Sequence, residues 1–396
     1  MSGTFDPMFK SLQIEVEGAP YAPDVITLGE ESDRIVISFD ELSEERRYMR
    51  YRLVHCDRNW QPEGLVDSEF LDGFNEAEVT EWAYSEATLV HYVHYTIRIP
   101  DGQMRITQPG NYLLQVYDES DPDTVLLQAR FGVCDYSMRA GAEVTSRTDI
   151  DTNSRHQQVS VIVDTRSADV RDPYSDVTVE VSQNARIDNA VKVTRPMRKS
   201  GTKLFFEHDR NLIFDAGNEY RRMEIVSTTF PGMGVADIEY INPVYNLTLY
   251  TDTPRAGQDY LYDSTQHGRF LVREYNSTDS DVQADYVMTR FSLEAPRLYG
   301  SEIFLDGDFV SRRFGPESLM VWNNATSRYE NAMMLKQGAY NYQYLTVPVG
   351  SSRGNTATIE GDNYETVNEY EIRVYYRQPG ARFDRLAAVT TVTSGR

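Results

Sequence analysis

Residues 110–117 read Gly110-Asn111-Tyr112-Leu113-Leu114-Gln115-Val116-Tyr117. Tyr112, Leu114 and Val116 recur at every second position, the period of a strand with one buried face. An amphipathic helix would space its apolar residues three and four apart instead. The alternation extends in both directions. Downstream it returns in Val125, Leu127, Ala129, Phe131 and Val133. Upstream it runs through Leu89, His91, Val93, Tyr95, Ile97 and Ile99, then Ile35, Ile37 and Phe39, then Leu12, Ile14 and Val16. Turn residues close these runs at Asp101-Gly102, Gln108-Pro109-Gly110-Asn111 and Asp121-Pro122-Asp123.

Helical periodicity is nearly absent elsewhere. Short strands separated by such turns predict an all-β protein built of β-sandwiches. The Tyr that follows the Gly turn at 110–112 is similar to the late strand of an immunoglobulin-like sandwich. A polar stretch over 135–148 marks one boundary, and Thr251-Asp252-Thr253-Pro254-Arg255 reads as a linker. Strands are expected between these near 159–163, 177–181, 204–206, 223–229 and 245–249. Beyond the linker they are expected near 286–293, 303–305, 320–322, 340–347 and 370–376. The expected organisation is three consecutive sandwich domains, 1–137, 138–254 and 255–396, each long enough to bury its own core. No motif recurs at a fixed period, which excludes a solenoid.

Composition narrows the function. The 396 residues include 61 acidic and 39 basic ones, a formal charge of −22. Nucleic-acid binding and docking on anionic lipid both need a basic face. Two cysteines make neither a disulfide-rich scaffold nor a four-cysteine zinc site. No run approaches the roughly 18 apolar residues of a membrane helix. What remains is a soluble, acidic, multi-domain protein or a porin-like barrel. Met1-Ser2-Gly3-Thr4-Phe5-Asp6 shows no basic n-region and no apolar h-region. The expectation is a cytoplasmic protein or a mature end behind an added Met.

Candidate chemistry is sparse. His55-Cys56-Asp57 with Trp60 has the residue types of a thiol nucleophile site, but adjacent strand residues point to opposite faces, so His55 cannot activate Cys56. A Cys56–Cys134 disulfide is an option in an oxidising compartment. His91 and His94 form H-x-x-H, a metal-ligand spacing on a helix; in an alternating strand they face opposite ways. His156, His208 and His267 are scattered among polar residues. Acidic clusters at 118–123, 149–151, 279–281 and 306–308 lack the spaced ligands of a calcium loop and read as solvated turns. Gly350-Ser351-Ser352-Arg353-Gly354 fits G-x-S-x-G, yet no helical stretch follows and no downstream His completes a triad. The expectation is therefore no catalytic, cofactor-binding or metal-binding residue, no hydrolase activity and no tightly bound transition metal. The 27 tyrosines, among them Tyr340, Tyr342, Tyr344, Tyr370, Tyr375 and Tyr376, fill cores or form an interface.

Several segments together resemble the plug proteins of the bacterial type IX secretion system. They are Phe9-Lys10-Ser11-Leu12-Gln13, then Tyr51-Arg52-Leu53-Val54-His55-Cys56-Asp57 with Trp60, then Ser68-Glu69-Phe70-Leu71-Asp72-Gly73-Phe74 and Gly110-Asn111-Tyr112-Leu113-Leu114. They continue in Gln183-Asn184-Ala185-Arg186-Ile187-Asp188-Asn189-Ala190, Leu335-Lys336-Gln337-Gly338-Ala339-Tyr340-Asn341-Tyr342-Gln343-Tyr344 and Tyr375-Tyr376-Arg377-Gln378-Pro379-Gly380. Ile187 stands where the family usually has an aromatic residue. The resemblance implies a periplasmic protein of Bacteroidota-type bacteria, with its signal peptide removed, peripheral to the outer membrane. It would dock on the giant outer-membrane translocon barrel and seal its periplasmic mouth when no substrate is in transit.

The last segment is also similar to early-set sandwiches of the glycogen-binding kind, through residues 303–309, Met320-Val321-Trp322 and residues 338–344. That supports a competing expectation, a carbohydrate-binding protein. Sugar platforms in such modules are exposed tryptophans, however, and Phe309 stands where one is expected. A third expectation, an outer-membrane barrel, draws on the alternation at 370–376. The leading expectation is a non-catalytic interaction protein, a rigid plug of three sandwiches.

Overall fold

The strand Gly110–Asp118 lies between Asp121–Cys134 and Met49–Cys56, antiparallel to both. Tyr112, Leu114 and Val116 all point into the first core and are fully buried. At Gly110, φ is +152° and a Cβ would lie 2.5 Å from His55 Nε2, so the turn admits only glycine. The computed structural model describes residues 1–168 and 170–395 and is almost entirely β.

Facing these strands is a four-stranded sheet of Phe9–Val16, Ile35–Glu41, Val93–Ile99 and Glu81–Tyr84. Phe39, Tyr95, Ile97 and Ile99 from this sheet meet Leu53, Tyr112 and Phe131 from the other, so one apolar core lies between two layers. The larger sheet does not stop at Cys134. Leu386 pairs with it in parallel, and Arg385–Thr393, Glu369–Tyr376, Val177–Gln183 and Val191–Val193 continue the same sheet into a second core. Arg139–Thr145, His156–Asp164 and Lys203–Phe206 cover that core from the other side. The third core is enclosed by a nine-stranded sheet whose main path of eight strands runs from Arg221–Ile225 to Val235–Ile241 through Gly338–Pro348 and Tyr286–Leu293, with Phe270–Val272 paired to Gly338–Pro348 off that path.

Among the described residues there are three large cores and one small cluster between the first two, and the expected division of the chain does not follow them. Met223, Ile225, Leu247 and Leu249 belong to the third core rather than the second, so 254 is not its edge. Conversely Tyr370, Ile372, Val374 and Ala388 belong to the second core rather than the third. Val177, Val179 and Val181 are fully buried, and their strand takes its second neighbour from the far end of the chain, at Glu369–Tyr376. The alternation of 370–376 thus buries against protein. The alternation read from Leu89 begins only at Val93. Asp285 accepts hydrogen bonds from the amides of Leu89 at 2.8 Å and Val90 at 3.0 Å, which holds that approach out of the sheet.

Candidate functional site

The residues singled out for chemistry do not converge. His55 and Cys56 do face opposite ways. His55 is enclosed by the rings of Phe70, Tyr112 and Phe383, while the Cys56 thiol donates to its near neighbour Val54. Cys134, whose neighbour Val133 points into the first core, is fully buried on the other face with Tyr375 and Leu386, because the second module covers it. Both thiols are free. Gly110–Asp118 lies between their two strands, and two strand spacings of about 4.8 Å exceed the reach of a disulfide. Burial pushes both thiols up to about 12, far from a reactive thiolate.

His94 Nδ1 lies 2.7 Å from Asp40, while His91 is exposed beside Glu44. Gly350 to Gly354 is a loop following Gly338–Pro348; Gly354 bonds Asp188 and Arg186 rather than opening a helix. Among the described residues no cluster of His, Cys, Asp and Glu could hold a metal ion. Trp322 is half-buried, with Tyr329 against it at 5.0 Å and its Nε1 bonded to Asn324, so it does not stand free as a sugar platform.

Several acids read as solvated turns or linker are structural nodes. Asp306 is buried between Tyr220, Gln343 and Arg312. Asp252, in the stretch read as a linker, accepts from Arg221, Tyr342 and Tyr344 at 2.7–2.8 Å. Glu360 is fully buried and holds Arg221 at 3.0 Å and Arg255 at 2.6 Å. Burial opposes its ionisation, but the two guanidiniums outweigh that and hold its carboxyl below the usual range.

Similar nodes cross between cores. Asp40, on the outer side of the first core, receives Lys336 Nζ at 2.6 Å and Tyr286 Oη at 2.7 Å from the third. Asp40 and Lys336 are each 1% exposed in their side chains. Here too burial opposes the charge, and Lys336 followed by His94 overcomes it, so the Asp40 carboxyl lies below its ordinary range. Tyr92 donates to the carbonyl of Ala284 at 2.8 Å across the same seam. Between the first and second cores, Asp384 accepts from the Arg58 amide at 3.0 Å and from Arg377 Nε at 2.8 Å. Between the second and third, Arg186 bridges Asp188 and the Gly354 carbonyl. A charge buried on both sides fixes its partner's position, since displacement would leave it uncompensated.

This arrangement decides the role of the tyrosines. Tyr340, Tyr342, Tyr344, Tyr370, Tyr375 and Tyr376 are all buried and cannot be surface anchors. Tyrosines that can touch another molecule are those such as Tyr48, Tyr250, Tyr275 and Tyr299, none of them in the repeating runs. Tyr299 is the most open, at 84%, with Val321 also exposed on that module.

Known proteins agree with this architecture. The model of the type 9 secretion system plug protein 1st domain matches residues 9–135, the segment that forms the first core. A crystal structure of a hypothetical protein from Parabacteroides merdae ATCC 43184 is 40% identical, covers 100% of this chain and 99% of that one, and superposes with a TM-score of 0.98. An alkylpurine DNA glycosylase from Pseudomonas fluorescens, bound to DNA containing an abasic site analog, is 18% identical over 32% of this chain and 29% of its own. Its TM-score of 0.19 carries no likeness of fold. No curated protein matches. The first-domain match, together with a relative that shares the fold from end to end, identifies the chain as belonging to the plug protein family of the type IX secretion system.

Proposed function

We propose that the protein is a non-catalytic plug that docks on the periplasmic mouth of the giant outer-membrane translocon and closes it when no substrate is in transit. Family membership carries this reading, and it supports a role in type IX secretion, a periplasmic location and a non-enzymatic task. The buried ion nodes at the seams support it further, because a seal needs an outline that does not shift. A stable seal buries more than about 1,200 Å² in total. A formal charge of −22 gives its rim acidic groups that steer encounter, while exposed aromatic residues set dissociation. Among the described residues no helix is long and apolar enough to cross a membrane.

Affinity purification of the tagged protein from its host, read by mass spectrometry, tests the proposal. The expected result is co-recovery of one very large outer-membrane barrel protein. Recovery with cytoplasmic enzymes and no such barrel would overturn it. On an immobilised translocon, molar salt should slow association and leave an assembled complex largely intact, since exposed charges are screened beyond a few Å.

A further inference from the structure

A cavity of about 490 Å³ lies where the three cores meet, open to solvent on one side. That is within the size range of small-ligand sites. Its walls come from every module: Leu12 and Ile14 from the first, Glu180 and Arg373 from the second, Phe270 and Leu271 from the third. Apolar side chains line one part and charges the rest.

All but one of the lining cations are paired. Lys192 pairs with Glu180 at 2.9 Å, Arg186 with Asp188 at 2.6 Å and Arg269 with Glu369 at 2.7 Å. Arg312 pairs with Asp308 at 2.7 Å, and Arg373 pairs with Glu371. Arg130 is the exception among the described residues. It forms no ion pair; its Nε is buried without a hydrogen-bond partner, and its guanidinium lies 4.5 Å from the centre of the Trp60 ring. Arg373 sits against the same ring at 5.8 Å. Trp60 is held at φ +62°, a conformation that costs a non-glycine residue about 1 kcal/mol or more and aims the ring.

Asp24 also faces the cavity with no cation paired to it. It keeps some accessible surface through the cavity mouth. Burial, then Glu371 and Asp308, push its carboxyl up to about 8, against the pull of Arg373 and Arg269. At neutral pH it is mainly protonated, so it does not neutralise Arg130 and instead offers an O–H donor.

A desolvated guanidinium without a counter-charge favours an anion, and its planar fork matches an oxyanion with two oxygens. Among the described residues Arg130 is the one lining cation left without an ion pair, and Glu15 on the same wall is an acid without one. Glu15, Glu180, Glu371 and Asp308 line the same cavity, which disfavours a dianion such as phosphate. We infer that the cavity binds a monocarboxylate carried on an apolar body, its carboxylate on Arg130 and its body against Trp60 and the apolar wall. Such a carboxylate belongs equally to a free organic acid or to the C-terminus of a peptide. The inference does not depend on the docking role proposed above.

Isothermal titration calorimetry of the full chain tests it, with octanoate, 4-phenylbutyrate, octanamide, inorganic phosphate, and a hydrophobic tripeptide with free or amidated C-terminus. Saturable one-to-one binding of at least one carboxylate is expected, with its amide and phosphate at least 10-fold weaker. Arg130→Gln should weaken it at least 10-fold, and Arg130→Lys, which keeps the charge but not the fork, by less. Binding should quench tryptophan fluorescence in the native protein but not in Trp60→Phe. Binding of the acids alone assigns a small-molecule source, and binding of the free-ended peptide alone a chain terminus. Equal affinity for carboxylate and amide, wild-type affinity in folded Arg130→Gln, or no saturable carboxylate binding would overturn the inference. Should Arg130→Gln fail to fold, the amide comparison and Arg130→Lys decide.

Discussion

Replacing Lys336 by Met removes a charge from the seam between the first and third cores and leaves Asp40 buried without its cation. At 2.6 Å and an effective dielectric near 20, the direct attraction is about 6 kcal/mol. Part of it survives, because His94 and Tyr286 still donate to Asp40 at 2.7 Å each. The expected loss of stability is therefore about 3–4 kcal/mol, within the range for breaking a buried pair. Asp40→Asn/Lys336→Met should recover about half of it, since an amide needs no counter-ion. The assay is equilibrium urea unfolding followed by tryptophan fluorescence, with midpoint and slope compared. Acid should erase the difference. A carboxyl held below its ordinary value stabilises the fold fully above roughly pH 5, and this contribution is lost as pH falls through the folded value. Once Asp40 is protonated, Lys336 has nothing left to neutralise. A single-variant loss under about 1 kcal/mol, or a double variant no more stable than the single one, would refute the claim that this pair locks the seam.

Other consequences can be measured on the same protein. Glu360→Gln leaves Arg221 and Arg255 without their shared acid and should cost about 3 kcal/mol in urea unfolding. Asp24→Asn should stabilise increasingly as pH rises from 5 to 8, by about 2 kcal/mol at the upper end. A carboxyl whose folded value is raised to about 8 penalises the fold once the unfolded chain ionises, and cavity water shields part of that penalty. Cys56 and Cys134 should ignore Ellman's reagent in the native protein and both react after denaturation; prompt reaction of either would contradict their burial. Tyr344→Phe removes the hydrogen bond to Asp252 and should cost about 1–2 kcal/mol of stability without altering capture of the translocon, because the ring never reaches the surface.

What could be read from the chain depended on whether a residue's meaning was local. The alternation of Tyr112, Leu114 and Val116 is self-contained, so strand and inward face were both legible. Period two does not say which core an inward face meets. Val177, Val179 and Val181 look the same whether their neighbour is close in sequence or lies at Glu369–Tyr376. The nodes were hidden for a related reason. Asp40 follows inward-facing Phe39, and Lys336 follows inward-facing Leu335, so both lie on outward faces where a charge reads as solvated. Whether an outward face meets water or another module is decided by tertiary packing alone. One signal was present: Gln183 to Ala190 carries part of the family resemblance although it has neither strand nor helix periodicity. Asn184 and Ala185 there adopt positive φ, and Gln183, Asn184, Arg186 and Asn189 are buried in mutual or cross-module hydrogen bonds. Polar residues without periodicity that nonetheless carry a resemblance mark such a turn.

The chemistry of the seams bears on why a plug would be assembled this way. Three apolar cores could also have been joined by apolar seams, which often stabilise as much or more than buried ion pairs. An apolar seam tolerates slippage, however, because a shifted contact still buries carbon against carbon. At a charged seam, a shift that separates Lys336 from Asp40, or Arg186 from Gly354, exposes an uncompensated charge or donor to a dry environment, at about 3 kcal/mol or more for an ion pair. With nodes at all three junctions, any relative rotation of the modules breaks at least one. The nodes therefore contribute less to total stability than to a single allowed geometry. The proposed role, closing a partner along a fixed rim, would require that geometry.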